Sequence, residues 1–406
     1  MIDIFFTATL WLFLAVLATV VANRLKISMA LIEICIGALA GYVFTHYFTQ
    51  DIMKTNEEWI RFVASTGAIL LTFLAGTEIE PSVLKSKRKE VMIIGILGFL
   101  LPFLGAAGIA KYVLDWSLRA SLLTGIALST TSMAVVYAVM LEYGFNKTEF
   151  GKGILGACFV NDLGTVIALG LIFAPFSFRT IIFIVVTVVA FIFLPTLTRH
   201  MMRMYAFKTA AIRTKWILFI LFLLGSLALW AGSEAVLPAY IVGMVLATTL
   251  NKDDHFIRRL RTLTIGFLTP IYFIRAGALV SIPALITAPL LILVLFASKV
   301  IPKMGLFPVI SRFRSDRKER WYYTLLMSTG LTFGTISALY GLTNGIISQN
   351  QYSYIVAVVI GSAVIPTVIA NFAFLPSHLL KIPSTDEEML QLDNGVIEQT
   401  EADEIK

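Results

Sequence analysis

Residues 153–173, GILGACFVNDLGTVIALGLIF, place Asn161 and Asp162 near the centre of an apolar run long enough to cross a bilayer as one helix. A charged carboxylate at that depth costs about 2.5–3.5 kcal/mol on insertion scales. Such an acid either marks an ion or proton pathway or pairs with a basic neighbour to hold helices together. Two other apolar segments supply groups that suit the first role. Thr131 and Ser132 end the hydroxyl run Ser129-Thr130-Thr131-Ser132, and Lys299 stands in the middle of a further run. Carboxylate, hydroxyl and amide oxygens are the donors that a small hard cation takes. A proton is the other occupant a buried carboxylate accepts. Asp162 is therefore the candidate carrier of a proton or a monovalent cation, with Asn161, Thr131 and Ser132 as the polar groups around it.

Such a site needs a membrane-embedded frame, and the composition supplies one. The 58% hydrophobic content and mean hydropathy of +0.86 exceed what a soluble domain carries. Thirteen apolar segments recur along the chain, at about 7–22, 29–47, 62–77, 91–112, 119–141, 150–173, 179–198, 216–232, 236–250, 263–281, 288–309, 321–341 and 352–375. The expected class is an all-α polytopic membrane protein. The first segment has no basic stretch ahead of it and no small-residue cleavage site, so it is expected to stay as a span. Cys35 and Cys158 both fall inside spans, which argues against disulfides, zinc and thiol chemistry.

The net charge of +7 is confined largely to short loops, which points away from nucleic acid. One alternating set of loops holds most of the basic residues, among them Lys85 to Lys89 and Arg312 to Arg320. The other set holds only Lys54, Arg61, Lys111, Arg119 and Arg179. By the positive-inside rule the N-terminus lies outside and the C-terminus in the cytoplasm, in a cell membrane. Residues 1–376 form the membrane domain, and 377–406 an acidic cytoplasmic tail without Phe, Trp or Tyr.

An internal echo suggests how the spans are arranged. TFLAGTEIEPSVL (Thr72 to Leu84) and YFIRAGALVSIPALI (Tyr272 to Ile286) share an aromatic, an Ala-Gly pair and a later proline, yet by the loop charges they run in opposite directions. Opposed repeats of this kind are a transporter signature, with the site at mid-membrane between the halves. Hydroxyl and glycine runs interrupt the segments at 119–141 and 321–341, which hold equivalent places in the two repeats. Irregular backbone at that depth is tolerated where it is buried or lines a cavity; alternatively the small residues allow close helix packing.

FLAGTEIEPSVLK, ALSTTSMAVVYAVMLEYG, GACFVNDLGTVIALG and PIYFIRAGALVSI occur in the order and spacing of the monovalent cation:proton antiporters. The chain most resembles the second cation:proton antiporter family, over roughly residues 5–376. The resemblance implies an antiporter fold with two broken helices crossing at mid-membrane. It also implies a core at about 91–173 and 288–375, and a scaffold at about 1–77 and 179–281 through which two subunits dimerise. It places the transported ion on Asp162 with Asn161, assigns Thr131 and Ser132 to the broken helix, and matches Lys299 to the family's supporting basic residue. Lys303, one turn on, is expected to reach for the interface.

The implied activity is exchange of a monovalent cation for H+, with Na+ favoured over K+. A potassium efflux channel or transporter lacking its cytoplasmic regulatory domain is the alternative. Asn161 stands where many electrogenic relatives have an aspartate, so one proton per cation is the simplest stoichiometry. Arg275, beside the second Ala-Gly element, is a second candidate supporting charge. Glu33 is expected to line an access funnel or cap a helix, and Glu78, Glu80 and Glu234 to lie at span ends. No cofactor is expected, and no enzyme motif is present: there is no phosphate-binding glycine loop, nucleophile elbow or metal-ligand cluster.

Overall fold

A computed structural model describes residues 2–25, 29–47, 52–77, 87–143, 145, 148–173, 178–205, 212–233, 235–250 and 254–379. Glu78, Glu80, Glu234 and the acidic tail from residue 380 lie outside the described residues. All regular structure among the described residues is helical.

The helices are α1 (Ile2–Leu25), α2 (Met29–Tyr47), α3 (Glu58–Thr77), α4 (Arg88–Tyr112), α5 (Leu118–Ser129), α6 (Met133–Glu142), α7 (Glu149–Phe173), α8 (Phe178–Tyr205) and α9 (Ile212–Trp230). They continue with α10 (Val236–Leu250), α11 (Asp254–Leu263), α12 (Thr269–Ala278), α13 (Ile282–Thr287), α14 (Pro289–Met304), α15 (Leu306–Ile310), α16 (Arg317–Met327), α17 (Thr332–Thr343) and α18 (Gln349–Ala373). Each of the thirteen apolar segments falls on one helix or on an interrupted pair. Among the described residues, ten stretches are long and apolar enough to cross a membrane. Side-chain caps set several starts. Ser117 accepts the N–H of Ala120, Asp316 that of Glu319, and Ser348 forms a reciprocal capping box with Gln351.

One stretch that reads as a basic loop is helical. Residues 254–263 form α11, with Phe256 and Leu260 buried and Arg258 and Arg259 exposed. It runs through a π-turn at Thr264–Leu268 into α12, whose first turn holds Pro270.

Helix packing follows the inverted repeat. Helix α12 lies against α2, and α3 lies against α10, each pair with backbones in direct contact. Glycines make this possible. A Cβ on Gly37 or Gly277 would strike the partner's Ile274 or Ile34 carbonyl, and one on Gly76 or Gly243 would strike the Tyr240 or Phe73 carbonyl. Exchanging the two repeats converts one pair into the other. A second group consists of α4, α5, α7, α14, α16, α17 and α18. Tyr240 joins the groups: its hydroxyl donates to the Phe159 carbonyl at 3.3 Å, and its ring packs on Phe159 and Phe333. At the other junction the Tyr352 hydroxyl donates to the Ala276 carbonyl at 2.6 Å.

Candidate ion site at a crossing of broken helices

Two helices break where hydroxyls and glycine interrupt the apolar pattern. Helix α5 ends at Ser129, and Thr130, with φ −62° and ψ 151°, turns the chain extended before α6 begins at Met133. Helix α16 ends at Met327, and α17 begins at Thr332 after the SerThrGlyLeu run. The two gaps meet, since the N–H of Ser132 donates to the Thr329 carbonyl at 3.1 Å. Broken helices leave N–H and C=O groups unmatched, and in a membrane interior these must find protein partners.

Asn161 supplies two of those partners from α7. Its Oδ1 accepts the N–H of Thr131 at 3.0 Å, and its Nδ2 donates to the Ser129 carbonyl at 3.3 Å. The Thr131 hydroxyl donates to the Met327 carbonyl at 2.8 Å, tying the first gap to the end of α16. Ser132 caps α6 by accepting the N–H of Val135 at 3.4 Å.

Asp162 is 2% exposed, and its Oδ1 is buried with no hydrogen-bond partner. A buried carboxylate oxygen left in that condition calls for a proton or a cation. Lys299 and Lys303 are both fully buried at the crossing. Lys299 donates to the Thr130 carbonyl at 3.3 Å, into space that Gly330 leaves open. Helix carbonyl ends carry partial negative charge, so an ammonium there is favourably placed. Lys303 departs from the sequence expectation. It points inward rather than to the interface, donating to the Thr131 hydroxyl at 2.8 Å, to the Met327 carbonyl and, at 3.4 Å, to the Thr130 carbonyl. Its position one turn after Lys299 keeps it on the same face of α14, which packs on α4 and α18.

Arg275 is set apart from this cluster. Its Nε donates to the Thr55 carbonyl at 2.8 Å, in the segment between α2 and α3, and its helix packs on α1, α2 and α3. It sits in the last turn of α12, from which the long side chain extends to the segment entering α3. Glu33, in the second turn of α2, is 1% exposed and so lines no open funnel in this conformation. The signal for Lys303 was present as a lysine in an apolar helix, four residues after Lys299. Only the tertiary path of α14 shows that both point inward.

A crossing of two broken helices, with a carboxylate and two lysines buried at it and an inverted packing around it, defines a membrane carrier of the antiporter fold. The solved structure of the sodium proton antiporter MjNhaP1 from Methanocaldococcus jannaschii has this fold. It superposes with a TM-score of 0.67 at 17% identity, covering 94% of this chain and 99% of that one. Residues 12–374 match the sodium/hydrogen exchanger transmembrane family, and the chain belongs to it. Among curated relatives, a probable Na(+)/H(+) antiporter 3 of Methanocaldococcus jannaschii is 26% identical over 83% of this chain and 89% of its own length. A Na(+)/H(+) antiporter of Enterococcus hirae is 24% identical over 87% of this chain and 93% of its own length.

Proposed function

We infer that this protein exchanges Na+ for H+ across a membrane, the two ions competing for Asp162. The observation that carries the reading is the buried Oδ1 of Asp162, without a hydrogen-bond partner beside the helix crossing. Membership of the sodium/hydrogen exchanger family supports it, as do the names of the two relatives. Those names favour sodium over the potassium efflux alternative.

The physical logic is short. One carboxylate binds a proton or a cation, not both stably. Moving it bare through a low-dielectric layer is costly, whereas its loaded forms are nearly neutral. A core that crosses loaded and resists crossing empty performs exchange rather than leak. With Asn161 beside it, the site has one carboxylate, which makes one proton per Na+ and electroneutral exchange the simplest outcome. The helices packed around the crossing are the moving core, and the glycine-locked pairs α2–α12 and α3–α10 belong to the scaffold that also forms a homodimer. The loop charges put the N-terminus outside and the C-terminus in the cytoplasm of a cell membrane. No cofactor or catalytic step enters this scheme.

The test is recovery of a trapped pH dye in proteoliposomes titrated with Na+, Li+ and K+. Sodium-dependent recovery that saturates is the expected result. A signal with K+ and none with Na+ would return the protein to the potassium alternative.

A further inference from the structure

Lys299 and Lys303 enter the crossing from consecutive turns of α14 and share the Thr130 carbonyl, yet only Lys303 reaches oxygens of both broken helices. Lys299 reaches one oxygen, the Thr130 carbonyl. Lys303 reaches three: the Thr131 hydroxyl, the Met327 carbonyl and the Thr130 carbonyl. Those oxygens come from both broken helices, converge on one point and are buried with the residues that carry them. Two are carbonyls that the breaks release from helical pairing. Neutral oxygens of this kind beside a carboxylate are the donor set a monovalent alkali cation takes. An ammonium is itself a compact monovalent cation with three donors, and three acceptors surround this one. Asp162, itself buried, follows Asn161, whose amide accepts the Thr131 N–H at the same crossing.

We propose that Lys303 is a resident substitute for the transported cation: its ammonium occupies the oxygens of the broken helices, and a cation binding between them and Asp162 must displace it. This rests on the reading of Asp162 as the exchange site and adds the Thr130 and Met327 carbonyls to its ligands. The measured affinity is then a difference between two cations contending for one oxygen set. Lys303 weakens cation binding and hastens release, which keeps the carrier from being trapped in its loaded form.

The experiment measures Na+ binding calorimetrically on the purified full-length protein, with choline chloride holding ionic strength constant. The proteins are wild type, Lys303→Met, Lys299→Met and Asp162→Asn. Lys303→Met should bind Na+ about tenfold more tightly, and exchange in proteoliposomes should show a lower maximal rate. Lys299→Met removes an equal charge from the same helix and gives up only its share of the Thr130 carbonyl, leaving Lys303 on all three oxygens, so its Kd should shift by no more than about threefold. Weaker or unchanged binding in Lys303→Met overturns the proposal. Equal tightening in both lysine variants also overturns it, because through-space charge alone would then suffice. If Lys303→Met does not purify as a monodisperse protein, Lys303→Leu, neutral and without a donor, carries the same comparison. Asp162→Asn separates the exchange site from the role of the lysine. If it still exchanges Na+, the site itself is wrong; if it is inactive while Lys303→Met binds like wild type, only the substitution is wrong.

Discussion

The amide of Asn161 spans the gap after α5, accepting the N–H of Thr131 while donating to the carbonyl of Ser129. An aspartate in that place could accept but not donate, and would set a carboxylate against a carbonyl. The asparagine thus has a structural duty besides any contact with the ion. Asn161→Ala leaves both backbone groups unmatched, each worth about 1–3 kcal/mol when buried. The thermal midpoint in detergent should fall by several degrees, and Asn161→Asp should recover only part of it. A midpoint unchanged in Asn161→Ala would remove the asparagine from the crossing.

Asp162→Asn should abolish exchange while leaving a folded, monodisperse protein. Competition for one carboxylate also fixes a pH trend in the wild type. As pH falls, protons displace Na+ and the apparent KM for Na+ rises, with the maximal rate at saturating Na+ less affected. Dye recovery across a pH series measures both quantities, and an apparent KM independent of pH would argue against a shared site.

Thr131 and Ser132, adjacent in sequence, should respond differently. The Thr131 hydroxyl lies among the oxygens at the crossing, so Thr131→Val should raise the KM for Na+ severalfold. The Ser132 hydroxyl caps α6, so Ser132→Ala should cost about 1 kcal/mol of stability with a smaller change in KM. Parallel kinetic and thermal measurements on the two variants distinguish a ligand from a cap. Equal KM shifts would put both hydroxyls on the ion.

Arg275 and Lys299 can be separated in the same way. Arg275 holds the Thr55 carbonyl, so Arg275→Gln should lower the thermal midpoint and leave the pH optimum of exchange in place. A displaced optimum would put the guanidinium within electrical reach of Asp162. Lys299 neutralises a helix carbonyl end, so Lys299→Arg should retain activity if the larger head fits beside Gly330, while Lys299→Ala should lose stability and rate.

On the proposed one-carboxylate site, exchange is expected to be electroneutral. A membrane potential set with valinomycin should leave the rate unchanged at a fixed pH gradient. A severalfold response would require a second charge carrier, and Lys303 would be the first to test.

The spans, the break points and Asp162 were legible in the sequence because each rests on local composition. Long apolar runs must cross a bilayer, and hydroxyl and glycine clusters interrupt them. An acid at mid-span is too costly to keep unless it serves an ion pathway or a buried pair. What the sequence hid was direction. Lys303 and Arg275 are both long side chains on apolar helices, and periodicity does not tell inward from outward when every face is apolar. The packing of α14 turns Lys303 to the crossing, and the last turn of α12 takes Arg275 to the segment before α3. Helix α11 was hidden for a different reason, its few apolar residues being too sparse to stand out beside its arginines.

The glycine contacts set an order of events during synthesis. Helix α2 emerges from the ribosome more than two hundred residues before α12, the helix whose backbone it will touch, and α3 precedes α10 by a shorter but still long stretch. The first half can enter the bilayer with α1 against α2, but the glycine faces of its second and third helices have no partner until the later half arrives. Their glycine faces must wait in lipid, unfilled by any side chain. Final assembly is therefore a late, post-insertion step, and each half of the chain acts as the template on which the other closes.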